Sequence, residues 1–368
     1  MRPLASTLVL ITLNTAFAAD IEWVELAANG KGFVLSNSQR AFYPWGFNYD
    51  HDENGKLIED YWENNWTEVE GAFSEMKQLG ANVIRIHLQF GKFMASPTQP
   101  RQEALDKLAH VVKLAEATEL YLDITGLGCY HKADVPLWYD QLSEHDRWQA
   151  QGKFWEAIAN TCKDSPAVFC YDLMNEPVVA GGDKKRDDWL GPAFGDKHFV
   201  QYVAIDRAGR NRAEVAKQWI DTLSAAIRKH DQRHLITVGL VPWSLDRPGL
   251  TSGFDPLVVA DNLDFIAVHI YPEQGKLEEA LETLRGFAAV GKPVVIEEIF
   301  PLKCKPDELR SFLLHSRSYA SGWIGFYWGQ TPDELRSINS IPAAMILAWL
   351  ELFVELNLAD PSAHATPR

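Results

Sequence analysis

The chain has 368 residues, 46% of them hydrophobic, with 50 acidic side chains against 35 basic ones and a formal charge of −15. That length and apolar content are enough for a substantial buried core, and the acidic balance excludes the basic footprint that nucleic-acid binding requires. An acidic surface suits an uncharged substrate better than a polyanion.

The first residues read as a secretory leader: Arg2, an apolar run from Leu8 to Leu13, and Ala16-Phe17-Ala18 as a small-residue cleavage site. The leader is assigned to residues 1–19, which makes the mature chain secreted or periplasmic. Its apolar run is too short to span a bilayer, and no later stretch approaches the roughly 18 apolar residues a span needs. Residues 21–36 predict a β-hairpin turning at Asn29-Gly30. A first buried strand follows over 42–48, then an acidic, aromatic loop over 52–65. The spacing of Val69, Phe73 and Met76 predicts a helix over 66–79, ended by Gly80.

The second strand, 82–88, carries Arg85 and His87 on one side by strand parity. Helix 102–118, strand 120–124 and helix 146–161 continue the alternation. Val168-Phe169-Cys170-Tyr171-Asp172-Leu173-Met174-Asn175-Glu176-Pro177 is then an apolar run that delivers an amide and a carboxylate before stopping at proline. A long loop over 178–211 precedes helix 213–230 and strand 235–240. Strand 265–270 and helix 276–290 come next. Lys292-Pro293-Val294-Val295-Ile296-Glu297-Glu298 is a second apolar strand ending on carboxylates. Helix 306–315, an eighth strand over 322–328 and a helix over 342–356, with Ser340 as its cap and Pro342 in its first turn, complete the series. Residues 360–368 read as a disordered tail.

Eight strands alternating with helices predict an α/β fold of one domain: a (β/α)8 TIM barrel over residues 20–359 with an N-terminal β-hairpin. No G-x-G-x-x-G or P-loop follows an early strand, so nucleotide-binding open sheets lose support. Cys129, Cys162, Cys170 and Cys304 form no C-x-x-C pair for zinc and allow three complete disulfide pairings. Cys170, inside a strand, reads as a small buried hydrophobe.

Two carboxylates on the ends of separate strands, facing one cavity, are what glycoside hydrolysis uses, and barrels hold their chemistry at the C-terminal strand ends. Here the sequence resembles the clan A glycoside hydrolases, most closely family 5, whose fourth strand ends Asn-Glu-Pro and whose seventh ends Glu-Phe/Tyr-Gly. Asn175-Glu176-Pro177 matches fully, and Glu298-Ile299-Phe300 matches at the acid. The resemblance implies Glu176 as general acid/base and Glu298 as nucleophile of a retaining double displacement. It also implies Asn175 on the sugar 2-hydroxyl, Arg85 beside the nucleophile, and Trp328 as a sugar-stacking face. His269-Ile270-Tyr271 matches the family's His-x-Tyr, with Tyr271 on the nucleophile and His269 beside the acid/base. Parity puts Glu297 and Glu298 on opposite sides of their strand, so at most one faces the barrel mouth; alignment with the family selects Glu298. Asp123-Ile124-Thr125-Gly126 departs from the Asp-Leu-His-Gly of many family 5 cellulases.

The expected function is therefore hydrolysis of a β-linked polysaccharide or oligosaccharide, β-1,4-glucan or β-mannan favoured, with no metal or organic cofactor and a monomer favoured. Trp62, Trp138, Trp189 and Trp243 are expected on top-face loops as stacking platforms of a groove. Three other readings remain: an exo-acting β-glycosidase, a non-catalytic carbohydrate-binding barrel, and a metal-dependent hydrolase liganded by His87, Glu176, His269 and Glu298.

Overall fold

Runs of consecutive buried residues form the inner wall of the molecule. The computed structural model describes residues 21–52, 54–182, 188–245, 250–326 and 328–360; the expected leader and residues 361–368 of the expected tail lie outside the described residues. The eight strands are β1 (Trp45–Tyr49), β2 (Val83–Gln89), β3 (Tyr121–Gly128), β4 (Val168–Asn175), β5 (Leu235–Leu240), β6 (Ile266–His269), β7 (Val294–Ile299) and β8 (Gly322–Gly325). Every residue in them is buried, as strands must be when helices cover one face and barrel-filling side chains the other. All neighbours pair in parallel in chain order, and β8 pairs with β1, so the sheet closes. The (β/α)8 barrel expected from the alternation is the observed fold.

The outer ring is built from α1 (Trp66–Gln78), α2 (Gln102–Thr118), α3 (Glu144–Cys162), α4 (Arg212–Arg228), α5 (Leu277–Ala288), α6 (Pro306–Ser316) and α7 (Ile341–Leu356). Their starts follow local chemistry. Ser143 caps α3 by accepting from the Asp146 N–H, Asn211 and Glu214 form a capping box on α4, and Ser340 caps α7 as expected. α7 lays Phe353 flat on Trp45, with ring centroids 3.8 Å apart, which fastens the last helix over the first strand.

The N-terminal hairpin pairs Val24–Leu26 with Phe33–Leu35, and Ala41–Phe42 adds a third antiparallel strand. Residue 42 thus belongs to this small sheet and not to β1. Phe33 packs edge-on against Phe169 and Phe265, with centroids 5.1 and 5.3 Å away, at the end where the strands begin. The barrel is plugged there, which leaves the opposite, C-terminal end for a site. At that end β3 runs to Gly128, beyond the expected 124, while β8 stops at Gly325, three residues short of Trp328. The four cysteines are all free thiols, three of them buried. Among the described residues no helix is long and apolar enough to cross a membrane.

Candidate active site

The centre of the barrel mouth is Arg85, fully buried on β2. A buried guanidinium must be paired in several directions at once. Nη1 donates to Asn48 Oδ1 at 2.9 Å and to Glu298 Oε1 at 2.8 Å, and Nη2 donates to Asp172 Oδ2 at 2.7 Å and to Asn175 Oδ1 at 3.0 Å. Glu297 Oε2 lies 3.5 Å from Nη2. Four strands, β1, β2, β4 and β7, therefore converge on one cation.

Glu297 and Glu298 both reach this centre, contrary to the parity expectation. The register between β6 and β7 runs Val268 to Ile296 and then His269 to Glu298, so β7 carries one extra residue. A bulge of this kind re-aims side chains that strict alternation would separate. His269, at the end of β6, sits among three carboxylates: its Nδ1 is 3.0 Å from Glu176 Oε1 and 3.4 Å from Glu298 Oε2, and its Nε2 is 3.4 Å from Glu297 Oε2. Tyr271 donates its hydroxyl to Glu298 Oε2 at 2.5 Å. The carboxylate oxygens of Glu176 and Glu298 and a ring nitrogen of His269 all lie within 4.8 Å of one another. Space for His269 and Glu297 is kept by Gly239, where an added β-carbon would come within 2.9 Å of His269 Nε2 and 3.0 Å of Glu297 Oε2.

Glu176 differs from its neighbours. Its side chain is 17% exposed against 8% for Glu298, and its backbone is left-handed, with φ of 47°. Such a conformation costs a non-glycine residue roughly 1–3 kcal/mol and persists where surrounding structure enforces it, often at functional positions. The enforcing contacts are its own N–H, which donates to the Gly239 carbonyl at 3.0 Å, and the following strand Pro177–Val179.

Charge in the site is unevenly shared. Burial disfavours the His269 cation, but the Glu298, Glu176 and Glu297 carboxylates outweigh burial and push it up to about 10. Burial raises Glu298 above the ordinary carboxylate range, and the adjacent Glu176 adds to this, while His269, Arg85 and the Tyr271 hydroxyl pull it back. Deeper in the barrel, Asp123 on β3 faces Glu297. Neither Asp123 oxygen, nor Glu297 Oε1, has an N–H or O–H donor among the described residues. Burial and the Glu297 charge drive Asp123 far up, and Arg85 and His269 offset burial to hold Glu297 low. The pair is satisfied when Asp123 keeps its proton and donates it to Glu297.

The protonation of His269 has a measurable consequence. The folded chain holds this proton to about pH 10, whereas an unfolded histidine releases it near 6.5. Between those values the folded state binds more protons, so this group's contribution to stability is complete below 6.5 and is lost as pH rises through 10. Thermal melts across pH 6–10 should show a decline that is shallower in His269→Gln; equal slopes would contradict the assignment. Glu176, His269 and Glu298 are the part of the expected metal-ligand set that the structure brings together. His87, grouped with these three in the metal reading, is not part of the trio. Burial and the Arg85 charge hold it neutral, and its ring nitrogens are occupied by the Tyr130 hydroxyl and by Asn48 Oδ1 at 3.1 Å.

Arg85, Asn175, Glu176, His269, Tyr271 and Glu298, named from the sequence, are thus brought together. Trp328 is not an open stacking face: it is 4% exposed, its backbone N–H donates to the Asn48 carbonyl at 2.7 Å, and its ring leans on Phe47. It borders a polar cavity of about 400 Å³ shared with Asp52, Tyr61, Glu75 and Gln330. Trp62 and Trp189 are buried in packing, Trp189 donating to Asp140 at 2.7 Å, while Trp138 and Trp243 are half-buried. Thr125, at the departure from the cellulase motif, donates to Asp172 Oδ2 at 2.8 Å beneath the site. Asn48, Asp123, Asp172 and Tyr130 went unassigned in the sequence. The available signal was a charged residue inside an apolar strand, which has to be paired when buried.

The chain is similar to mannan endo-1,4-beta-mannosidase A of Emericella nidulans, 23% identical over 282 residues that make up 65% of this chain and 64% of that protein. Among solved structures it is similar to the exo-beta-1,4-mannosidase Op5Man5 from Opitutaceae bacterium strain TAV5, with TM-score 0.63, 16% identity and coverage of 94% of this chain and 64% of that one. It is also similar to the beta-1,4-mannanase of the sea hare Aplysia kurodai, with TM-score 0.62, 17% identity and coverage of 94% and 99%. The family model Cellulase (glycosyl hydrolase family 5) matches residues 37–328, most of the chain, and the protein belongs to that family.

Proposed function

We propose that the protein is a retaining β-glycoside hydrolase acting on a β-1,4-linked mannan. The observation that carries this reading is the close approach of the two carboxyl groups: oxygens of Glu176 and Glu298 lie within 4.8 Å. Retaining enzymes keep their acids about 5–5.5 Å apart, and inverting enzymes leave about 6.5–9.5 Å for a water. Glu298, held by Arg85 and Tyr271, attacks the anomeric carbon. Glu176, the more exposed acid, protonates the departing oxygen and then takes a proton from the incoming water. Asn175 uses Oδ1 to accept from Arg85 and one N–H to donate to the Phe199 carbonyl. Its second N–H is free for the sugar 2-hydroxyl, a bond that strengthens in the transition state. His269 touches both acids, and its charge favours the ionised form of Glu298 that attacks.

The mannan preference rests on the mannosidases to which the chain is similar. The leader-like residues 1–19 support export, with 20–359 as one catalytic domain working as a monomer. The test is stereochemical. Proton NMR of the first product released from an aryl β-mannoside or a mannan oligomer should show the β-anomer before mutarotation. First appearance of the α-anomer would indicate inversion and remove the nucleophile role from Glu298. Activity confined to β-glucans would overturn the mannan assignment alone.

A further inference from the structure

The long loop between β4 and α4 is tied across the mouth at three places. Phe199 accepts a hydrogen bond at its carbonyl from Asn175 Nδ2, 3.1 Å away. The His198 N–H donates to the carbonyl of Tyr130, just beyond β3, at 2.9 Å. The Lys197 side chain, 9% exposed, crosses to the loop after β1, where a β-carbon on Gly55 would meet its Nζ at 2.9 Å. The Phe199 ring lies 4.9 Å from that of Tyr130 and 6.4 Å from that of His51, which follows β1. The loop therefore spans from β4 over β3 and β2 to β1.

Barrel order gives this crossing its meaning. Glu176 leaves β4 and Glu298 sits on β7. A glycan lying between them can leave the mouth on only two sides, over β8 and β1–β3 or over β5 and β6. The first side is rimmed by Tyr130, Phe199 and His51 and, 6.4 Å from His51, by the ring of Phe326 just after β8. It is also the glycone side, because Asn175, placed at the 2-hydroxyl of the transferred sugar by the function proposed above, lies directly beneath Phe199. From this geometry we infer that the enzyme is exo-acting: it admits the non-reducing end of a β-glycan against Phe199 and lets the rest of the chain run out over β5 and β6. This inference rests on the proposed retaining mechanism and adds a direction and an end to it. Loops on a rigid barrel set specificity in this way without altering the chemistry beneath them.

The experiment compares bond cleavage with chain shortening in the full-length protein. On a soluble β-1,4-mannan, reducing ends should accumulate while viscosity stays nearly constant, and reduced mannohexaose should yield one short product from the start. The double variant Phe199→Ala/Lys197→Ala, which removes the ring beside Tyr130 and His51 and the side chain lying against Gly55, should lower mannan viscosity several-fold faster per bond cleaved. An aryl β-mannoside, which needs no extended groove, separates the two claims. Wild-type protein that hydrolyses the aryl substrate with retention and also cuts mannan internally, with early loss of viscosity, overturns the exo assignment and leaves the mechanism standing. Failure on the aryl β-mannoside and on every oligomer defeats the proposed function, and the exo assignment with it. If the double variant unfolds, the wild-type product profile alone decides.

Discussion

Glu298→Ala is expected to abolish turnover on every substrate, whatever the leaving group, because no glycosyl-enzyme can form without its carboxylate. The loss should exceed the roughly 10²–10⁴-fold that removal of a general acid or base produces. Glu176→Ala should behave differently in kind. An activated aryl leaving group departs with little protonation, so the first step survives and the glycosyl-enzyme accumulates. Azide, small enough to enter the space left by the side chain, should then restore turnover and give a β-glycosyl azide. The geometry supports this division: Arg85 and Tyr271 grip Glu298, whereas Glu176 projects with one-sixth of its side chain in solvent. Two variants with similar, unrescuable losses would show that the acids do not serve separate steps.

Much of the fold was legible because barrel strands obey one rule along their length. β4, β5 and β7 are mostly apolar runs bounded by turns or proline, and helices such as Gln102–Thr118 coincide with the expected bounds. The misplacements occur where tertiary contact overrides local pattern. Phe42 continues a plausible strand in sequence, yet it pairs with Phe33 in the antiparallel plug. Residues 322–328 read as one strand, but pairing with β1 ends at Gly325, and Trp328 packs on Phe47.

At the site, the residues with a motif around them were found and the ones that support them were not. Asn175-Glu176-Pro177 and His269-Ile270-Tyr271 announce strand exits. Asp123 and Asp172 are single acids inside apolar strands, and nothing local distinguishes a structural ion pair from a site residue. The two adjacent acids Glu297 and Glu298 were misjudged for a geometric reason: alternation assumes a regular pleat, and the bulge between β6 and β7 breaks it. Tryptophans were over-read in the other direction. Trp62 and Trp189 lie on top-face segments, but their large faces are spent on packing, as burial of aromatic area favours.

Arg85 should be the least replaceable residue outside the two acids. It is buried with Asp172, Glu297 and Glu298 around it, and their charges outweigh burial to raise it well above an ordinary arginine. Arg85→Met would leave these carboxylates with His269 as the neighbouring cation, at 3.4 Å from Glu297 and Glu298. Removing one partner of a buried ion pair costs about 3–5 kcal/mol, a large share of the roughly 5–15 kcal/mol that holds a typical domain folded. Arg85→Lys is the sharper test because it retains charge. An ammonium has no planar fork and cannot span Asn48, Glu298, Asp172 and Asn175 together. Arg85 lowers the Glu298 carboxyl in the native protein, so loosening their contact lets burial raise it further. The nucleophile must be ionised to attack, and the acidic limb of the kcat/KM–pH profile should therefore move to higher pH in Arg85→Lys, alongside a fall in melting temperature. A lower melting temperature with an unmoved acidic limb would assign Arg85 to the scaffold and leave the ionisation of Glu298 to His269 and Tyr271.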